Sequence, residues 1–211
     1  MTKYEITFPI NNITKIIIPL KDPVEWLGPI YQKHILFLHD KEKIILSKDA
    51  IYHDMLDLAN LLKKALNQEL FLHTYITKEI GYLHNQYIYD NINIPICTFS
   101  SDNNSDWIGY KYHLWSARND LVSIDSWIYN APDESIIFEV TPIYPYMYCE
   151  PEEEPDYIPY EEWIKTYKPY FITTLSREIA EQWLEQAEYI IKIVEDNQRR
   201  WELRSKIDVD S

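Results

Sequence analysis

The side chains of this chain that could do chemistry are carboxylates and histidines, with 34 Asp and Glu and six His among 211 residues. Asp133 and Glu139, in PDESIIFEVT (132–141), are the kind of carboxylates that hold a divalent cation beside a reacting oxygen. His53 and Asp57 stand four residues apart in a stretch with helical periodicity, a spacing that puts two metal donors on one face but supplies no third. The histidines, His34, His39, His53, His73, His84 and His113, form no HExxH pair, and His34 and His39 have opposite parity on a predicted hairpin, so they point to different faces. Paired carboxylates with Trp107, Trp115 and Trp127 as stacking surfaces would suit a glycosidase, but acids this abundant form pairs everywhere.

Most other catalytic chemistry is excluded by what the chain lacks. Gly28, Gly81 and Gly109 are the only glycines, so GxxxxGK[ST], GxGxxG and GxSxG are absent, and with them phosphate-cradling loops and nucleophile elbows. Cys97 and Cys149 have no CxxC spacing and are expected to be free thiols. The stretch PDESIIFEVT resembles the PD…(D/E)xK pattern of restriction-endonuclease-like nucleases, which implies Asp133 and Glu139 as cation ligands. The lysine that would activate water is Thr141 here, and residues 119–164 contain no Lys or Arg to meet a phosphate backbone. A Pro-Asp turn followed by a strand accounts for the same letters. The chain is therefore expected to be no enzyme and to bind no metal and no cofactor.

Its charge is unevenly placed. The net charge is −14, yet residues 1–118 and 165–211 carry −1 each, and residues 119–164 carry −12. The densest part is CEPEEEPDYIPYEE (149–162), with seven acids and three prolines. Prolines interrupt the alternation that a calcium loop needs, and Gly and Ser are too few for a slack linker. Proline holds such a chain extended, and YPYMY before the run and DYIPYEEW at its end mix aromatic anchors with the carboxylates. Such a surface repels nucleic acid and anionic membranes and steers a basic protein toward it. The residues expected to meet that partner are Trp127, Tyr129 and Glu139 on a strand face, and Tyr146, Tyr148, Glu150, Glu152, Glu153, Glu154, Asp156, Tyr157, Tyr160, Glu161 and Glu162 in the acidic loop spanning 144–162.

These residues need a frame. KYEITF and ITKIII alternate as strands, and KHILFLHDKEKIIL predicts a hairpin about Asp40 to Lys43. Ile51, Met55, Leu58, Leu62 and Leu66 stripe a helix over about 49–66, which Ser47 or Asp49 could cap. Residues 69–105 mix both periods and stay open. WIGYKYHLW predicts a strand, and LVSIDSWIY with SIIFEV predicts a hairpin that puts Val122, Ile124, Ile128, Ile136, Phe138 and Val140 on one face, and Asp125, Trp127, Tyr129, Glu139 and Thr141 on the other. EEWIKTYK is a short helix candidate. Ile179, Trp183, Leu184, Ala187, Ile191 and Val194 predict a helix over about 176–196, with a frayed tail at 204–211. The sum is an α+β chain, 1–211 as a single domain, with one antiparallel sheet of about six strands under those two helices. No export signal and no run long enough to span a bilayer is present, so a cytoplasmic protein is expected.

In size, acidity, aromatic richness and lack of catalytic motifs the chain resembles the bacterial immunity proteins that inactivate cognate toxins. The resemblance rests on no motif and carries over no residue. It implies a basic toxin as partner, and for a nuclease toxin it implies inhibition by blocking the cationic cleft.

Overall fold

A computed structural model describes residues 4–20, 27–28, 30, 32–90, 107–118, 123–146 and 155–209, leaving aside the side chains of residues 90 and 204–209. In chain order the elements are β1 (Tyr4–Pro9), β2 (Thr14–Leu20), β3 (Ile35–His39), β4 (Glu42–Ser47), α1 (Ile51–Leu66), α2 (Ile80–Asp90), a 3-10 turn (Ile108–Tyr112), β5 (His113–Arg118), β6 (Ser123–Asn130), β7 (Ile136–Ile143), α3 (Tyr160–Trp163), a second 3-10 turn (Ile164–Thr166), β8 (Phe171–Leu175) and α4 (Arg177–Val209). The fold is α+β, but the expected single sheet of six strands is two sheets of four, ordered β1-β2-β3-β4 and β5-β6-β7-β8. The chain divides into two compact units, one made of residues 1–67 and 175–211, the other of residues 68–174. Among the described residues no helix is long and apolar enough to cross a membrane.

In the first unit the strands form an antiparallel meander. Phe8, Ile16 and Phe37 lie in register on adjacent strands, and all three are buried. The predicted hairpin turn tightens to Asp40 and Lys41, with Asp40 at φ 51°, a left-handed conformation that a chain poor in glycine leaves to a short polar side chain. α1 starts two residues later than expected, and neither Ser47 nor Asp49 caps it: its N-cap is Ala50, without a side-chain bond. The Ser47 hydroxyl reaches instead into the helix, 2.9 Å from both oxygens of buried Asp54. α1 and α4 run antiparallel, since Tyr52 meets Glu195 and the Leu66 carbonyl accepts from Arg177. The buried stripe of α4 is Ala180, Trp183, Ala187, Ile190 and Val194, at steps of three and four, and the Trp183 indole N–H donates to the Pro9 carbonyl at 2.8 Å. The helix runs past its expected end, through residues 204–209 to Val209.

The second unit is built on the predicted β6–β7 hairpin, whose register pairs Asp125 with Thr141, Trp127 with Glu139 and Ile128 with Phe138. The described residues assigned to its two faces from alternation lie on those faces, while Val122 lies outside the described residues. The strand expected from Trp107 does not begin until His113, because residues 108–112 coil into a 3-10 turn that buries Tyr112. α2 falls in the stretch left open. It packs on β7 through Gly81, where any Cβ would overlap the Tyr167 hydroxyl and the Thr141 side chain. It is pinned there by Asn85, whose amide donates to the Pro142 carbonyl at 2.9 Å and accepts from the Tyr144 N–H at 2.7 Å.

Candidate functional site

The two described ends of the acidic segment are joined at an aromatic base. Tyr144 donates its hydroxyl to the Ile158 carbonyl and Tyr146 donates to the Asp156 carbonyl, each at 2.8 Å, so the chain entering the segment is tied to the chain leaving it. The rings stack around this closure. Tyr144 lies edge-on to Tyr160 and Trp163, both at 5.5 Å, and Tyr146 packs on Tyr157 at 5.3 Å. Tyr89, from the last turn of α2, stacks on Tyr160 at 4.1 Å and meets Tyr144 at 5.2 Å. Burial, then the Tyr157 phenol beside it, pushes the Tyr144 phenol above its ordinary range, so it remains a donor.

The predicted partner-binding residues divide by position. Asp156, Glu161 and Glu162 are exposed, Tyr146 and Tyr157 are half-buried, and Ile158 stands exposed among them. Tyr160 is buried and belongs to the base. Tyr148, Glu150, Glu152, Glu153 and Glu154 lie outside the described residues. Trp127 and Glu139 are both 0% exposed, which corrects their assignment to a docking surface, and half-buried Tyr129 bonds inward to Glu139 at 2.8 Å. The physical reason is α2: it covers the β6–β7 face whose exposure alternation alone leaves undecided. Tyr89 joins the base without having been expected there, since EIGYLHNQYIY reads equally as helix or strand.

Under α2 the covered face holds a polar layer. Asp125, 1% exposed, lies between two imidazoles, with His113 Nε2 at 3.2 Å and His84 Nδ1 at 2.6 Å. The His84 contact is close but lies off the line of a ring N–H, so it is an electrostatic approach rather than a directed hydrogen bond. Burial would raise the Asp125 pKa, but His113 and His84 together hold it well below the carboxylate range. His84 stacks on Trp107 at 5.1 Å and meets Trp127 edge-on at the same distance. The Trp127 N–H donates to Thr141 at 2.9 Å. Glu139 is the opposite case: burial, with the Glu79 charge adding to it, raises its pKa to about 7 against the pull of the Tyr129 hydroxyl.

Among the described residues no group of three or more His, Cys, Asp and Glu is arranged to hold a metal ion. Asp133 sits in the exposed hairpin turn, held by Ser135, while Glu139 is sealed inside, so the nuclease-like pair does not share one surface. His53 and Asp57 lie exposed along α1. The chain matches no protein-family model, and neither a curated protein nor a solved structure matches it.

Proposed function

We propose that this chain is a binding protein that neutralises a basic protein partner, an immunity protein whose partner is a toxin met through the acidic segment. The observation that carries the reading is the clamp at the segment's base. Two phenol-to-carbonyl bonds and a cluster of rings, with Tyr144 and Tyr160 buried at its centre, tie together the two described ends of the acidic segment, and Asp156, Glu161 and Glu162 are exposed, as is Ile158. A pre-formed support lowers the ordering cost of binding, the carboxylates steer, and the aromatic and Ile158 surface supplies apolar contact. Inhibition would then be steric and electrostatic, with no chemistry by this chain.

The test is association with the partner recovered from the native host. The partner is expected to be basic, and binding to weaken as salt rises. Replacing Glu152, Glu153 and Glu154 by Lys is expected to weaken it by at least about tenfold at low ionic strength, as read by surface plasmon resonance. Salt-independent binding that the triple variant leaves intact would rule the segment out as the docking surface.

A further inference from the structure

α4 outlasts the helix it packs on. Tyr52, in the first turn of α1, meets Glu195, so the residues of α4 beyond that point run on toward Val209 with no α1 beside them. Contacts within the helix support them there: the Gln198 amide donates to Glu202 at 3.0 Å, and Arg199 stands 3.8 Å from both Glu195 and Asp196. Tyr189 and Leu203 are 61% and 63% exposed on this helix. Single exposed apolar residues are ordinary, but their spacing here is not. Tyr189, Ile193, Asp196, Arg200 and Leu203 follow at steps of four, three, four and three, and the sequence adds a further step of four to Ile207. That is a heptad seam, about 140° around the helix from the buried stripe of Ala180, Trp183, Ala187, Ile190 and Val194.

The seam is self-complementary when reversed. Laid antiparallel on itself about position 198, it sets Tyr189 level with Ile207, Ile193 with Leu203, and Asp196 with Arg200, each pair repeated by the two-fold axis. Apolar layers then meet apolar layers, and the one charged layer joins opposite charges. A parallel pair would instead set Asp196 against Asp196 and Arg200 against Arg200. We infer that α4 binds a second copy of this chain through this seam, as an antiparallel helix pair whose register is fixed by Asp196 and Arg200. Lys192, Arg199 and Lys206 flank the seam in both copies and repel, so the pair is weak, with a Kd on the order of 10–100 μM. The contact uses the first unit alone and does not rest on the docking role of the acidic segment.

Sedimentation equilibrium of the full 25.4 kDa chain across about 1–500 μM tests this, and the wild type is expected to pass from monomer to dimer. Asp196→Arg and Arg200→Asp each place like charges in the central layer, and each is expected to weaken the dimer by at least about tenfold. Mixed in equal amounts, the two variants restore opposite charges between copies and are expected to recover it as a heterodimer. Leu203→Glu is expected to prevent dimer formation altogether. Arg200 and Leu203 are exposed and Asp196 is half-buried, so these changes leave the folded core in place. A wild type that stays monomeric throughout overturns the inference. So does a dimer that Leu203→Glu leaves intact, and so do losses in the single variants that mixing fails to repair.

Discussion

Asp54 shows how one buried acid ties stability to pH. It lies 4% exposed in the first turn of α1, and burial raises its pKa to about 7 despite the Ser47 hydroxyl, with Asp49 and Asp57 adding to the rise. The folded chain therefore keeps a proton that the unfolded chain releases near 3.8. The resulting stability is fully present below that value and is lost as pH climbs through about 7, at about 1.4 kcal/mol per unit, or about 4 kcal/mol in all. Urea unfolding of the first unit between pH about 4 and about 8 is expected to show this slope, and Asp54→Asn to flatten it. Nothing in the sequence marks Asp54 in this way. Ser47 and Asp49 both match the pattern of helix caps, and only the packing of β4 against α1 turns the Ser47 hydroxyl inward.

The elements legible from periodicity are those with one dry face. The early strands, the β6–β7 hairpin, α1 and α4 each repeat at 2 or near 3.6 residues, and each was placed within a few positions at its start. α2 was not, because its burial is carried by Ile80, Gly81, Leu83, His84 and Asn85, only two of them large apolar residues. The 3-10 turn at residues 108–112 imitates strand alternation because Ile108, Tyr110 and Tyr112 stand two apart. Half of the candidate site was legible, namely the acids and the tyrosines of the segment. The rest depends on which face a helix with no clear apolar stripe comes to cover. Two substitutions probe these elements. Gly81→Ala is expected to displace α2, giving faster exchange across residues 80–90 while α1 and α4 keep their protection. Trp183→Ala removes a fully buried side chain and its bond to Pro9, and is expected to cost about 3–5 kcal/mol in the first unit, as read by chemical denaturation.

The whole molecule is divided in charge as well as in structure. Residues 68–174 carry −12 of the net −14, so the other unit is nearly neutral. Self-repulsion therefore falls on one unit, and added salt is expected to protect residues 68–174 from hydrogen exchange more than α1 and α4, whose exposed ion pair Lys63–Glu188 contributes little. The two units also differ in continuity: one is a single stretch of chain, and the other is interrupted between α1 and α4. On the ribosome the meander and α1 emerge first, and the apolar stripe of α1 remains without the helix it packs against until all of residues 68–174 and then α4 have been synthesised. The acidic unit is thus complete before the unit that encloses it in sequence, and a stalled or truncated translation product would release the carboxylate-bearing surface attached to an unfinished, aggregation-prone remainder.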